Sequence, residues 1–168
     1  MSWSRAEILA LATKAARGAG APPGQATQFG QAAAQHLGRG RSADDLLRAL
    51  AQLPSGPILQ IPVEISRVMI SAEGHQSIDA SFEVGAYAAL FESYLESLPC
   101  KAAITARKPE TFHIMLEPNV PAPREPLDRI TGCDLAIEKM AALAARTFVP
   151  ESEASRLAGA GAGLTDND

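Results

Sequence analysis

The sequence predicts an α+β fold, and three observations predict it. Apolar residues recur at helical spacing over the first third of the chain, they alternate or form a hairpin pattern in the middle, and helical spacing returns near the end. Runs of one element type favour α+β over a strictly alternating α/β fold. We therefore expect an N-terminal three-helix segment, a small and mostly antiparallel sheet with one packed helix, and C-terminal helices followed by a glycine-rich tail.

The chain length fits a single domain. Its 168 residues lie within the ordinary size of one domain, and no internal repeat divides them. The expected subregions are a helical part at residues 1–53, a core of strand, helix and hairpin at 57–117, a proline-rich connector at 118–126, and C-terminal helices with the tail at 134–168.

Three short helices are predicted first. Ser4 and Glu7 have the spacing of a capping box, in which each side chain bonds a backbone N–H at the start of a helix. A second helix is expected over residues 24–37. Ser42, followed by two acidic residues that suit the helix dipole, is expected to begin the third. Clusters of glycine and proline separate the three segments.

A strand is predicted next. Apolar residues occupy alternate positions over residues 58–67, and a period of two is typical of a strand. Pro62 has no N–H to donate to a sheet, so it marks an edge position or a break. Residues 68–70 extend or repeat this strand. Residues 77–82 are either one more short strand or the lead-in to a helix.

The clearest helical period begins at Val84. Apolar side chains continue at helical spacing up to Pro99, before which the helix ends. Glu92 and Glu96 fall on the opposite face of this helix, and we expect that face to be exposed to water.

A hairpin and a last helix complete the prediction. Two strand-like runs at residues 101–106 and 111–116 are joined by a short polar loop, which is the pattern of a hairpin. The prolines within residues 118–126 favour an extended connector. A long helix is expected over residues 134–147, and a further short helix is expected to end at Gly159.

Charge and hydropathy exclude two kinds of partner. The formal net charge is −4, and no concentrated basic face of the kind that nucleic-acid binders carry is evident. No apolar run approaches the ~18 residues of a membrane span. The apolar stretch at residues 8–12 is too short for the core of a signal peptide. We expect a soluble cytoplasmic protein that binds neither nucleic acid nor membrane.

The cysteines predict neither a disulfide framework nor a metal site. The chain has two, Cys100 and Cys133, and they do not form a Cys-x-x-Cys pair. Free, half-buried thiols in a reducing compartment are the expectation. No sequence pattern indicates a cofactor.

The three histidines offer one weak catalytic candidate. His36 closes a predicted helix and is expected to cap its carbonyl groups, while His75 lies in a turn. His113 lies in a predicted strand, on the face opposite Phe112 and Ile114, where the strand would hold it rigidly as a general base. No His-x-x-x-His spacing indicates a metal, and no Gly-x-Ser-x-Gly elbow is present. Whether the chain is an enzyme stays open.

The C-terminal tail is the most unusual local sequence. Alternating glycines let main chain approach another surface closely and let successive N–H groups bind an anion. Three alternatives are open: the tail packs against its own domain or a neighbouring protomer, it completes a ligand site, or it frays. Its acidic end is expected to be solvated, or to pair with an arginine such as Arg17 or Arg146, rather than to bind a metal. The candidate ligand-binding residues here are Arg156, Gly159, Gly161, Gly163, Asp166 and Asp168.

Both ends of the chain resemble a bacterial family of small whole-chain proteins, a domain of unknown function. The opening is carried by KAARGAG at residues 14–20 followed by Gly24, and the ending by RTFVPESEASRLAGAGAGLTDND at residues 146–168. Because that family has no assigned activity, the resemblance implies no catalytic role. It does imply that Arg17, Arg156 and the glycine-rich tail form a shared feature.

These patterns give three hypotheses about function. The first is a self-associating homo-oligomer whose glycine-rich C-terminal arm docks into a groove between elements or protomers, in the same chain or in a partner. The second is a binding protein or enzyme for a small anionic ligand, held by Arg17 or Arg156 and the N–H groups of Gly161 and Gly163, with His113 as acid or base. The third is an adapter for a partner protein.

Overall fold

A computed structural model describes residues 1–123 and 129–147 of the chain. Within them it contains six α-helices and two small antiparallel sheets, which confirms the predicted α+β class. The predicted short helix before Gly159, the glycine-rich tail and part of the predicted connector lie outside the described residues.

The first helices begin at their sequence signals. Ser4 and Glu7 form the predicted capping box: Ser4 Oγ accepts from the backbone N–H of Glu7, and the Glu7 carboxylate accepts from the N–H of Ser4. Ser42 Oγ accepts from the N–H of Asp44 at the start of the third helix. The helices are α1 at Arg5–Gly18, α2 at Pro23–Gly38 and α3 at Ala43–Ala51.

The strand predicted over residues 58–67 is wrong, because this stretch lies in a fourth helix, α4, at Pro57–Ser71. Apolar residues are so frequent here that they satisfy a period of two and a helical period together. A proline at the first position of α4 suits a helix start. Four helices therefore precede the first long strand, not three. The side chains that α4 buries on one face are Ile58, Ile61, Pro62 and Ile65.

A three-stranded sheet follows, and it contains the predicted hairpin. The middle strand pairs antiparallel with both neighbours, so the strand order is β2-β4-β3. A two-stranded antiparallel sheet, β1-β5, pairs residues 2–3 with residues 130–131. The strands are β1 at Ser2–Trp3, β2 at Ile78–Glu83, β3 at Cys100–Arg107, β4 at Thr111–Pro121 and β5 at Ile130–Thr131.

The connector predicted at residues 118–126 is wrong at its start, because Pro118 and Pro121 belong to β4. Strand β2 pairs with β4 only as far as Leu116, opposite Ile78. Beyond that point β4 has a neighbour on one side only, where Pro121 lies opposite Cys100 of β3. An unpaired side of a strand needs no N–H donor, so it tolerates proline.

Two more helices pack against these elements. Helix α5 at Ala88–Glu96 follows a 3₁₀ turn at Gly85–Tyr87, and α6 at Asp134–Ala144 continues into a 3₁₀ turn at Ala145–Thr147. Helix α5 lies against the sheet through three aromatic rings, with Phe91 at 4.9 Å from Phe82 and 6.2 Å from Phe112 between ring centroids. Aromatic pairs at these separations stabilise the contact between helix and sheet.

The expectation that Glu92 and Glu96 face open water is also wrong. Their side chains are 25% and 27% exposed. Glu92 accepts hydrogen bonds from Arg107, and Glu96 accepts two from Arg41 at 2.8 and 2.6 Å. The hydrogen bond from Arg107 is the main reason that the pKa of Glu92 lies below its usual range. This face of α5 is therefore an ion-paired contact with the end of α2 and with β3.

Candidate functional site

The predicted general base, His113, lies on the side of the sheet opposite its aromatic face. It is half-buried in β4, and its Nδ1 lies 2.8 Å from Oγ of Ser81 on the neighbouring strand. Asp79, Ser81 and Thr105 line a shallow groove with it. No carboxylate in the described residues bonds His113, so nothing there orients it as a catalytic triad would.

The other predicted site residues are not brought to His113. Arg17 is exposed in the last turn of α1 and does not line the groove around His113. The remaining candidates lie outside the described residues: Arg156, Gly159, Gly161, Gly163, Asp166 and Asp168.

A second serine and histidine pair lies in the core. His36 and Ser93 are both fully buried, and Nδ1 of His36 lies 2.9 Å from Oγ of Ser93. Nε2 of His36 lies 2.9 Å from the carbonyl oxygen of Ser42 and 3.7 Å from a carboxylate oxygen of Asp45. Because a carbonyl only accepts, Nε2 carries the proton that bonds Ser42. The Ser93 hydroxyl donates to the backbone oxygen of Ala89 at 2.9 Å, and its Oγ also lies within hydrogen-bond distance of Nδ1. The prediction that His36 caps its own helix is therefore wrong.

Ser93, His36 and Asp45 are the residue types of a catalytic triad, but this serine is not accessible to a substrate. A substrate cannot reach Ser93, which has no exposed surface. Nη1 of Arg41 also donates to Ser93 Oγ, at 3.0 Å. The cluster thus ties α2, α3 and α5 together, and its role is structural.

The buried imidazole makes stability depend on pH. Burial is the main reason that the pKa of His36 lies below its ordinary value. The unfolded chain takes up this proton near pH ~6.5 while the folded protein does not, so stability is present above that pH and lost as the pH falls. Chemical denaturation should show a loss of up to about 1.4 kcal/mol per pH unit as the pH falls below ~6.5.

One variant isolates the contribution of His36. His36→Gln should reduce the slope of stability against pH by up to one proton, because it removes the buried imidazole. If the free energy of unfolding depends on pH with the same slope in the wild type and in His36→Gln, the imidazole of His36 is not buried in its neutral form.

A cleft with a volume of about 610 Å³ opens where α1 begins and where α2 and α5 end. Its apolar part comes from Leu9 of α1, Leu95 of α5 and Leu98 in the turn after α5. Gln31 and Gln35 of α2 add amide groups. Clefts of this volume are typical of binding sites, and polar groups line this one at least as much as apolar groups do. We name it the Arg5–Arg39 cleft after the two arginines that line it.

The charges around the Arg5–Arg39 cleft favour an anionic occupant. Arg5 is exposed at the first position of α1, and Arg39 is exposed directly after α2. Glu96 also lines the cleft, but Arg41 binds both of its carboxylate oxygens, and Nε of Arg39 lies 3.7 Å from one of them. The cleft is therefore lined by two arginines and by a glutamate that Arg41 already bonds.

The sequence analysis did not identify this cleft. One signal in the sequence is Arg5. A cation in the first turn of a helix interacts unfavourably with the helix dipole, so Arg5 does not stabilise α1 by its charge. The second signal is Arg39, which stands directly after the end of α2. The sequence pattern does not show that the start of α1, residues 31–39 and residues 95–102 come together in the fold to form one cleft.

The described residues provide neither a metal site nor a membrane span. Within residues 1–123 and 129–147, no group of three or more His, Cys, Asp or Glu side chains is placed to hold a metal ion. No helix in the same residues combines the length and the apolar character needed to cross a bilayer. Cys100 and Cys133 are free, as predicted, and both are buried. Burial raises the pKa of both thiols, which disfavours the reactive thiolate.

No family model, no curated protein and no solved structure matches the chain.

Proposed function

We propose that the protein is a self-associating binding domain whose Arg5–Arg39 cleft receives the C-terminal arm, residues 148–168, of a second copy. The observation that supports this proposal most strongly is a cleft of mixed polar and apolar lining that has the exposed Arg5 at its edge and Arg39 in its wall. Catalysis has less support, because the half-buried His113 has no carboxylate among the described residues to orient it, and the oriented His36 is fully buried.

The arm has the charge that the cleft favours. It carries four acidic side chains against one basic side chain, Arg156, so an arginine-lined cleft attracts it. Paired guanidinium and carboxylate groups form hydrogen bonds stronger than neutral ones. The acidic residues of the arm are Glu151, Glu153, Asp166 and Asp168.

The composition of the arm also fits the shape of the cleft. Glycine and alanine alternate over residues 158–163, and a backbone without large side chains can lie close to an apolar surface. Leu157 and Leu164 flank that stretch and match the apolar side chains of the cleft. Gln31, at the exposed edge of the cleft, offers an amide to the peptide groups.

The starting point of the arm favours a second copy. The described chain ends at the 3₁₀ turn Ala145–Thr147, and Leu143 just before it contacts Gly18 at the end of α1. Arg5 lies at the opposite end of α1, whose 14 residues extend about 20 Å. An arm from the same chain would have to return along α1. An arm from a partner has no such requirement.

Charge reversal at Arg5 is expected to weaken self-association about tenfold, because an attraction becomes a repulsion worth ~1–2 kcal/mol in total. The substitution should not harm the fold, since glutamate at the first position of a helix suits the dipole. Lys14→Glu makes the same charge change at an exposed position of α1 outside the cleft, and it should leave association unchanged. Sedimentation equilibrium measures both.

Deletion of residues 148–168 should abolish association in the same measurement. An unchanged mass for both Arg5→Glu and the deletion would overturn the proposal.

A small anion is the second candidate for the same cleft, supported by the same pair of guanidinium groups. If the arm deletion leaves the mass unchanged, and citrate raises its Tm only when Arg5 is present, the cleft is a small-molecule site instead.

A further inference from the structure

A second cleft, with a volume of about 440 Å³, lies between α2, α4 and α5. It is mostly apolar, and Ile65 and Met69 of α4 and Leu98 after α5 form much of its lining. Tyr94 of α5 lines it as well, and we name it the Tyr94 cleft. It shares four lining residues with the Arg5–Arg39 cleft but contains neither arginine; the shared residues are Gln31, Ser97, Leu98 and Pro99.

Tyr94 carries an unpaired donor. Its side chain is 3% exposed, and no donor or acceptor among the described residues bonds its hydroxyl. Burial raises the pKa of Tyr94, so the hydroxyl keeps its proton and remains a donor at every physiological pH. A buried hydroxyl without a partner destabilises a protein, so native structures almost always satisfy it.

The lining of the cleft defines the acceptor that can satisfy this donor. No charged side chain lines the cleft in the described part of the chain. A carboxylate entering it would lose its water and gain no counter-charge, whereas a neutral carbonyl loses much less. Met69 and Gln31 have long unbranched side chains that can rotate to admit such a group to the hydroxyl.

We propose that the Tyr94 cleft binds a small neutral aliphatic molecule with one carbonyl oxygen, which accepts a hydrogen bond from the Tyr94 hydroxyl while its hydrocarbon part lies against Ile65, Met69 and Leu98. This site borders the Arg5–Arg39 cleft but differs from it in what it binds. It takes a ligand of different charge, and it needs no second copy.

The test uses 2-octanone as the probe and the full chain with ¹³C-labelled methionine methyl groups. The chain has four methionines, and Met69 is the one that lines the cleft, so its NMR signal reports where the ketone binds. Met69→Leu identifies that signal. We expect a saturable shift of the Met69 signal while the other three methionine signals stay in place.

Two tyrosine variants test the hydrogen bond. Tyr94→Phe keeps the ring and removes the donor, and it should bind 2-octanone about five- to tenfold more weakly. Tyr87→Phe removes the hydroxyl of the other tyrosine, which bonds Gln52 outside this cleft, and it should bind like the wild type.

Three results would overturn the proposal: no shift of the Met69 signal up to the solubility limit of the ketone, equal affinities in the wild type and Tyr94→Phe, or octanoate binding as tightly as 2-octanone. The self-association measurements do not depend on any of them.

Discussion

Gly30→Ala is expected to lower the free energy of unfolding by about 3 kcal/mol, the upper part of the range for overpacking. Gly30 is buried where α2 crosses α1, and a Cβ there would lie 2.7 Å from the backbone oxygen of Leu9 and closer still to Oγ1 of Thr13. The threonine side chain can rotate, but the backbone of α1 cannot move without separating the two helices. Urea denaturation of the variant measures the loss.

The same helix provides the control. Gly24→Ala places a methyl group where no heavy atom lies within 4 Å, in the first turn of α2. Alanine is the better helix former, so this variant should gain about 0.5–1 kcal/mol. If Gly30→Ala is as stable as the wild type, the helices α1 and α2 are not in close contact at this position.

Arg41→Met is expected to lower the free energy of unfolding by about 2–3 kcal/mol. Arg41 is 16% exposed and donates to both carboxylate oxygens of Glu96 and to Ser93. Its removal leaves a largely buried carboxylate without its main partner. Loss of one member of a fully buried pair costs about 3–5 kcal/mol, and the partial exposure of Glu96 reduces that figure.

Two further variants distinguish this ion pair from a general charge effect. Arg48→Met breaks a pair with Asp45, but Arg48 is 57% exposed, so the loss should stay below about 0.5 kcal/mol. Adding Glu96→Gln to Arg41→Met should recover part of the stability, because the side chain left without its main partner is then neutral. Equal losses in Arg41→Met and Arg48→Met would contradict the pairing.

Local signals in the sequence predicted much of the fold. The capping box at Ser4 and the cap at Ser42 located helix starts, because these interactions involve residues only two or three positions apart. The hairpin of β3 and β4 was predicted for the same reason. Helix α4 was not, because its apolar content satisfies two periods and only its packing against other helices selects one.

The site was less predictable than the fold. The sequence placed His113 on the correct face of its strand, but it did not place Ser81 beside it. The ion pair of Arg41 and Glu96 joins residues 55 positions apart, and the Arg5–Arg39 cleft joins the start of α1 to the ends of α2 and α5. Neither contact follows from local spacing, since both depend on how the helices cross.

Mixing two disabled chains tests arm exchange most directly. One chain carries Arg5→Glu and Arg39→Gln with an intact arm, and the other keeps both arginines but lacks residues 148–168. Sedimentation should find each chain monomeric alone and a one-to-one complex in the mixture, because one intact arm meets one intact cleft. If the mixture contains monomers alone at concentrations where the wild type associates, the arm does not bind the cleft of a second copy.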